Sequence, residues 1–440
     1  MNAKIEKCLQ VFAKYLERTN MSNKPYQTEG LEWCLSNELC ENPVGNIRGG
    51  FIADEMGLGK TILMIGTFLC NLLPKTLIVL PVALIEQWYT EIYRTTGHKA
   101  VIYHGTNKSI SLEVNPKILI VLTSYDTISN EKSLLHKINW DRVVFDEAHH
   151  LRNNKTKRLI GAKLLKSKIR WLVSGTPVQN KKKDYETLCS VVDTSETIDP
   201  QYIRRHFVLK RTKREVGIII PELIHTELQV AWKNEAEKKL SEDAHNGLLN
   251  SDMSCKLTTM YQSRLSCIFP KILLTSKNNW WITPEYEKAM NATSKLDKVS
   301  ETILSRKNGK GKLIFCHYRK EIDELYRRLR EGGMNNVAIF DGRIPYNKRQ
   351  EILSQKKEAI ILQIQTGCEG LNLQENYSEI YFVSPNWNPA VEDQAIARCH
   401  RIGQTKEVNV FRFTMDENAM DNYINKTQES KRFIINETFA

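Results

Sequence analysis

The segment Asp54-Glu55-Met56-Gly57-Leu58-Gly59-Lys60-Thr61 lies between a short apolar run, Phe51 to Ala53, and a helix-like run from Ile62 to Leu73. Strand, glycine loop and helix together are the context that a phosphate-binding loop requires. Gly57 and Gly59 let backbone amides close around a phosphate, and the N-terminus of the following helix adds partial positive charge. Lys60 can reach terminal phosphates and Thr61 can hold Mg²⁺. The first glycine of the general pattern is replaced here by Asp54. A glycine turn beside a surface lysine would explain Gly-Lys-Thr taken alone; the flanking strand and helix favour the phosphate reading.

A site that hydrolyses a bound phosphate needs one carboxylate for the metal and another to orient the attacking water. Asp146-Glu147-Ala148-His149 follows the apolar run Val143 to Phe145, 86 residues beyond Lys60. Alone, such a tetrapeptide reads as a solvated helix start. Here it is followed, after one more apolar run, by Ser174-Gly175-Thr176-Pro177, which favours a site. His150 has no partner that the sequence names, and a structural role is expected for it. Gln394, Arg398 and Arg401 are spaced by four and three, so a helix would carry all three on one face. One arginine there is a surface cation by default. Two beside a glutamine, in a chain with a phosphate loop and an acidic pair, point to an arginine-finger face.

These groups need a scaffold. Short β-branched runs alternate with amphipathic segments from Gly49 to about Pro177, the mark of a parallel sheet covered by helices. FIA at 51 to 53, TLIVL at 76 to 80, ILIVLTS at 118 to 124, VVF at 143 to 145 and WLVS at 171 to 174 read as strands. The rhythm returns in LIFC at 313 to 316, VAIF at 337 to 340, IILQIQ at 360 to 365, IYFV at 380 to 383 and VFRFT at 410 to 414. Between about Glu222 and Leu296 no strand rhythm is visible and polar residues dominate. The fold class expected is therefore α/β: an N-terminal lobe over 1–230, a mainly helical insert and linker over 231–296, and a C-terminal lobe over 297–440. No period of 20 to 50 residues recurs, which argues against a solenoid or propeller.

At roughly 150 residues per domain, 440 residues allow two to three domains. A composition of 41% apolar and 26% charged residues excludes disorder, collagen and coiled coil as the main theme. Lys plus Arg number 63 against 51 Asp plus Glu, a net charge of +12 that favours a polyanionic partner. The longest apolar stretch, Ile62 to Ile85, is broken by Asn71, Pro74, Lys75 and Pro81, so no membrane span is expected. The first twenty residues show no secretory signal. No two of the ten cysteines have zinc-site spacing, and buried free thiols in a reducing compartment are the expectation.

Taken together, these motifs resemble helicase superfamily two and, within it, the Swi/Snf-type DNA-translocating ATPases. The matching stretches begin at Pro25-Tyr26-Gln27 with Gly30, Leu31 and Trp33, and continue through DEMGLGKT at 54 to 61, Pro81 to Trp88 and Thr123-Ser124-Tyr125. They go on through DEAH at 146 to 149, SGTPVQN at 174 to 180, and Lys210-Arg211-Thr212-Lys213 with Val216 and Pro221. LIFC, FDGR at 340 to 343, TGCEGLNLQ at 366 to 374, WNP at 387 to 389 and QAIARCHRIGQ at 394 to 404 complete the set. WNP and HRIGQ are its most specific parts.

The resemblance implies two RecA-like lobes, ATP and Mg²⁺ as ligands, and double-stranded DNA held by its backbone. Targets open to such a motor include nucleoprotein and polymerase complexes, and no membrane partner is expected. It further implies that Gln27 reads adenine, that Lys60 and Thr61 hold phosphate and Mg²⁺ with Gly57 and Gly59 around them, that Asp146 binds the metal and that Glu147 activates water. Arg398 and Arg401 resemble arginine fingers, with Gln394 in the same motif. Ser174 and Thr176 look like the link from nucleotide state to lobe movement, and Thr366 with Gly370 like part of a DNA-tracking surface. A strand-separating DNA or RNA helicase shares the phosphate loop and DEAH box, but WNP and HRIGQ argue against it.

The sequence departs from the family in two places. Phe269 stands where the pattern Leu-Arg-x-x-Cys-x-His-Pro has histidine, and Cys368 and Glu369 replace small residues. The short chain without flanking bromo-like, chromo-like or zinc modules, and its GCEGLNLQ wording, look like virus-encoded members. Work in the nucleus is expected, or at a cytoplasmic replication or transcription site for a viral member. The basic stretches Lys181-Lys182-Lys183 and Lys210 to Arg214 read equally as DNA contacts or solvated faces. Trp280-Trp281 reads as core packing or, less readily, as a base-stacking pair.

Overall fold

The structure is a computed structural model, which describes residues 3–40, 44, 47–105, 119–249, 256–275, 282–367 and 371–439. The chain divides into two compact units, one formed by Met1–Ile219 with Phe433–Ala440 and the other by Ile220–Arg432.

In the first unit seven strands form one sheet: β1 (Gly49–Ile52), β2 (Lys75–Leu80), β3 (Val101–Tyr103), β4 (Leu119–Ser124), β5 (Asn139–Asp146), β6 (Lys166–Val173) and β7 (Val208–Leu209). Their order is β3-β4-β2-β5-β6-β1-β7, and every pairing is parallel. Parallel sheets are covered on both faces, which is why the central strands read as unbroken apolar runs. Successive residues alternate between two cores. Phe51, Leu77, Val79, Val143, Phe145 and Leu172 face one, and Ile52, Ile78, Leu80, Val144, Trp171 and Val173 face the other.

Two glycines open β1 because its neighbours leave no room for a side chain. A Cβ on Gly49 would lie 2.2 Å from the Arg170 carbonyl oxygen, and one on Gly50 would lie 2.5 Å from that of Phe207. Beneath the sheet, Glu38 at the end of helix Pro25–Glu38 accepts from Arg142 twice, at 2.7 and 2.5 Å, from Trp171 Nε1 at 2.8 Å and from Asn71 at 2.7 Å. This buried pair ties β5, β6 and the end of helix Lys60–Cys70 to one carboxylate.

The second unit carries β8 (Leu223–Val230), β9 (Gly311–Cys316), β10 (Val337–Phe340), β11 (Ala359–Gln363), β12 (Tyr377–Phe382) and β13 (Val408–Met415). Their order is β10-β11-β9-β12-β13-β8, again parallel throughout. The strands expected from apolar runs are all present. Strand β8 is a correction, since 222–296 was expected to hold none and 220–230 to belong with the N-terminal lobe. All eight β8 residues pair with β13, and this draws the segment into the second unit. It was missed because an edge strand buries little: Leu228 and Val230 turn inward while His225, Glu227 and Gln229 are exposed.

The insert is helical, with Glu235–Leu249, Lys256–Ile268 and Glu287–Met290, and it groups with the second unit. Leu240, Leu265, Leu273, Ala289 and Met290 form its own small core. Phe269, where the family pattern has histidine, packs against both that core and the core of the sheet. It therefore works by apolar contact where histidine would offer hydrogen bonds. Cys8, Cys34, Cys189, Cys267, Cys316 and Cys399 are buried free thiols, while Cys40 and Cys70 are partly exposed. Among the described residues, no helix is long and apolar enough to cross a membrane.

Removing one partner of a buried ion pair leaves the other charge uncompensated, at about 3–5 kcal/mol. Glu38→Ala is therefore expected to destabilise the first unit by an amount of that order in equilibrium urea unfolding. A loss under about 1 kcal/mol, the value of an exposed pair, would show that the carboxylate is not needed.

Candidate nucleotide-binding site

Strands β5, β6 and β1 are neighbours, with Asp146 and Ile52 both in register with Val173. The loops that follow them leave the same C-terminal edge of the sheet, where parallel α/β sheets bind ligands. Gly57 and Gly59 hold φ values of +92° and +81°, conformations that glycine adopts without strain, and Gly59 caps the helix Lys60–Cys70. Lys60 Nζ donates to the carbonyls of Asp54 at 2.9 Å and Glu55 at 3.4 Å. Thr61 follows it in the first helical turn. Gln27 is buried and reaches this loop, for a Cβ on Gly59 would lie 2.9 Å from its Nε2. The turn after β6 touches the loop as well: a Cβ on Gly175 would meet Met56 at 2.9 Å and Lys60 Nζ at 3.2 Å.

Asp146 ends β5 with its carboxylate held on both oxygens. Trp88 Nε1 donates to Oδ2 at 2.7 Å and the Glu147 amide to Oδ1 at 3.0 Å, while the Tyr125 hydroxyl donates to the Asp146 carbonyl at 2.7 Å. Burial first, and the neighbouring Glu147 carboxylate second, push the Asp146 carboxyl up to about 7, with Trp88 and Lys60 pulling the other way. Glu147 adopts φ +50°, a left-handed conformation uncommon outside glycine. Its Oε2 lies 3.2 Å from His149 Nδ1, which is itself 3.4 Å from Ser174 Oγ. Ser174 Oγ accepts from the Thr176 amide at 3.2 Å, and Gln179 Nε2 donates to Thr176 Oγ1 at 3.4 Å. A polar chain thus runs from Glu147 to Thr176. His150 stacks on His149 at 4.6 Å and lies 3.4 Å from an Arg158 nitrogen, a packing role.

Asp54 was noted only as a missing glycine; the structure gives it a partner. Arg211 clamps its carboxylate at 3.1 and 2.6 Å, also donates to the Tyr26 carbonyl, and lies over the Tyr26 ring. Lys213 Nζ pairs with Glu55 at 2.8 Å, and its amide donates to the same carboxylate at 2.8 Å. Two cations of the 210–214 stretch therefore brace the phosphate loop, which corrects the DNA-contact reading for Arg211 and Lys213. Lys181, Lys182 and Lys183 are exposed.

In the second unit Gln394 lies on helix Pro389–Ile396, capped by Asn388. The expectation that Arg398 and Arg401 continue its face is overturned, because the helix ends first. The Arg398 carbonyl accepts from the Leu373 amide at 3.0 Å and the Cys399 carbonyl from Gln404 Nε2 at 3.2 Å, so a bent turn replaces further helix. Arg398 Nε donates to the Gln394 carbonyl at 3.1 Å, and Arg401 donates to Asn372. Burial and the adjacent Arg398 lower the Arg401 guanidinium to about 10. Thr366 falls in the short helix Ile364–Gly367. Gly370, Cys368, Glu369, Trp280 and Trp281 lie outside the described residues.

Residue reasoning missed the groups that hold the WNP turn. Glu392 accepts from the Asn386 amide at 2.8 Å and from Arg412 at 2.9 Å. Arg264 of the insert donates to the Pro385 carbonyl at 2.5 Å and lies 5.8 Å from the centre of the Trp387 ring. The Leu-Arg-x-x-Cys pattern was the available signal for Arg264.

A carboxyl raised from the ordinary aspartate value of 3.8 to about 7 binds its proton more tightly in the folded state. Its contribution to stability is complete below the lower value and is lost as pH rises through the upper one. In nucleotide-free protein, Asp146→Asn is thus expected to raise the melting temperature relative to the parent more at pH 8 than at pH 5. Differential scanning fluorimetry across that range decides it, and a difference independent of pH would count against the buried carboxyl.

Residues 26–302 match the family described as SNF2-related domain, and residues 294–403 match the helicase conserved C-terminal domain. The chain is 30% identical to the ATP-dependent DNA helicase DDM1 of Arabidopsis thaliana, with 89% of this chain and 58% of that protein covered. It is 28% identical to the ISWI chromatin-remodeling complex ATPase ISW1 of Saccharomyces cerevisiae, over 93% of this chain and 40% of that one. The chain thus spans about two fifths to three fifths of the length of these curated relatives. Among solved structures, the Sulfolobus solfataricus SWI2/SNF2 ATPase core in complex with dsDNA is similar at 24% identity and a TM-score of 0.42, over 95% of this chain and 94% of that one. With the family match running through the phosphate loop, the DEAH box and the turn after β6, the chain belongs to the SNF2-related domain family.

Proposed function

We propose that this protein hydrolyses ATP with Mg²⁺ on its first unit and couples that hydrolysis to movement along double-stranded DNA, remodelling protein–DNA complexes without separating strands. The observation that carries the reading is the gathering of Lys60, Asp146, Glu147 and the Ser174–Thr176 turn on one sheet edge. The names of the relatives, an ATP-dependent DNA helicase and a chromatin-remodeling complex ATPase, agree with it. A DNA track implies work in the nucleus, or at a cytoplasmic replication or transcription site for a viral member.

Each residue has a task that its environment suits. Gln27, buried beside Gly59, recognises the base, and Lys60 with the loop amides binds the phosphates. The donor set fits Mg²⁺, a hard cation that takes carboxylate and hydroxyl oxygens; Asp146 and Thr61 would hold it, and it would supply neutralising charge to the phosphoryl oxygens. Glu147 orients the attacking water and takes up its proton. Arg398 and Arg401 add positive charge toward the transition state. The chain from Glu147 through His149 and Ser174 to Thr176 carries the nucleotide state away from the site. Thr366 and Gly370 belong to the DNA-tracking surface.

A motor that runs over any sequence holds phosphates, and binding of that kind weakens steeply with salt. Steady-state ATP hydrolysis is expected to rise with duplex DNA, to fall by about 100-fold or more in Lys60→Ala and Glu147→Gln, and to lose its stimulation as salt increases. Greater stimulation by single strands or duplex RNA would instead favour a strand-separating helicase.

A further inference from the structure

The second unit has a cavity of about 640 Å³ that none of the preceding roles uses. It opens at the N-terminal edge of the sheet, among the loops that lead into β9, β10 and β11, and its lining includes Gly309, Gly311, Gly333 and Asn336. The turns carrying Thr366 and Trp387 follow β11 and β12 on the opposite, C-terminal edge, so the cavity is separate from them. The turn of Arg398 lies on the cavity's own edge, with Cys399 Sγ donating to the carbonyl of Tyr377, the residue paired with Gly311. Six cations line it: Arg306, Lys307, Lys310, Lys312, Lys356 and Lys357. The one carboxylate in the lining is Glu358, which accepts from the Asn336 amide at 2.8 Å.

The cations have different tasks. Arg306 and Lys312 are fixed by the buried Glu379, at 2.7 and 3.3 Å, and Lys312 donates further to the Lys310 carbonyl at 3.1 Å. The Lys312 side chain is only 4% exposed, so this floor is rigid and keeps one positive charge in excess of Glu379. Lys357 donates to Gln355. Lys307, Lys310 and Lys356 make no ion pair among the described residues, and Lys307 and Lys356 are exposed at the rim. Ammonium groups around one concavity repel each other unless an anion sits between them.

From this geometry we infer that the cavity is a binding site for a small molecule carrying two or more phosphate groups. Its volume falls within the range of small-molecule sites. Gly309 and Gly333 hold φ values of +69° and +93°, and a Cβ on either would meet no atom within 4 Å. The walls near them are therefore open backbone. A half-open concavity between three short loops suits a compact polyanion better than the convex backbone of a duplex.

The cations also follow the C-terminal ends of helices Ser294–Ser305 and Tyr346–Ser354, where positive charge offsets the helix dipole. The test must separate that role from binding. The full chain carrying Lys60→Ala, which removes the phosphate loop as a competitor, is titrated with inorganic tripolyphosphate by calorimetry at physiological salt. Saturable one-to-one binding is expected, weakened at least tenfold by Lys307→Glu with Lys356→Glu and unchanged by the exposed charge reversal Lys155→Glu in the first unit. Lys310→Gln, which removes the charge and shortens the side chain by one atom, should weaken it several-fold with an unchanged melting temperature. Absence of saturable binding would overturn the inference. So would equal affinity in the double variant, or a lower melting temperature with binding intact, which is the signature of helix-end stabilisation alone. Loss of duplex DNA binding in the double variant, with tripolyphosphate binding unchanged, would make the surface a nucleic-acid contact and overturn it too.

Discussion

Parallel pairing makes all strands of a sheet end on one edge, and the first unit depends on that constraint. Because β1 lies beside β6 and β6 beside β5, the loops after residues 52, 146 and 173 emerge next to one another although they are far apart in the chain. Lys60, Asp146 and Ser174 become neighbours by strand order, before any of their own contacts is considered. The order itself rests on tight local sterics. Two glycines admit β1 between the backbones of Arg170 and Phe207, and Glu38 gathers Arg142 and Trp171 from the two adjacent strands.

The edge so created is electrostatically costly, and its surroundings are arranged accordingly. Two consecutive carboxylates, one fully in the protein interior, repel each other and resist ionisation, which is why the Asp146 carboxyl rises to about 7. Trp88 and the Glu147 amide hold it in place in spite of that, and Tyr125 holds the Asp146 carbonyl. Glu147 is turned out by a left-handed backbone, a strain that clusters at functional positions. The phosphate loop is braced from behind by Arg211 on Asp54 and Lys213 on Glu55. Arg142, Arg211, Lys213, Lys295 and Lys312 are each committed to a carboxylate inside their own units; these pairs remove charges of both signs equally, so the net charge of +12 rests on the remaining groups.

The second unit uses the same sheet logic with a different internal polarity. Lys295 and Asp421, both fully buried, pair at 2.6 Å and join helix Ser294–Ser305 to the last helix of the chain. Glu392 and Arg264 shape the turn that presents Trp387. Such buried charges add little net stability over apolar packing. What they do here is join segments distant in sequence into one arrangement, the insert to the WNP turn above all. Insert and sheet also share Phe269, so the residue that departs from the family pattern is the apolar part of the same joint.

How much of this was legible beforehand follows from how local each signal is. Buried strands announce themselves as apolar β-branched runs, and the phosphate loop, the acidic pair and the turn after β6 each lie within a few consecutive residues of such a run. Strand β8 escaped because an edge strand with polar residues on its outer face has no comparable pattern, and it became a strand only through its eight pairs with β13. The helical face drawn through Gln394, Arg398 and Arg401 failed because the helix yields to a bond from Leu373, which approaches from elsewhere in the chain, and to one from Gln404 in the turn itself. Asp54 was visible as a departure, but its meaning depended on Arg211, 157 residues away. The sequence by itself determined the elements and the chemical types at their ends, because hydrophobic period and glycine loops are short-range properties. The partners that hold those groups, and the cation-lined cavity on the far edge of the second sheet, were decided only by the tertiary structure, because strand order and burial bring together residues that no local spacing relates.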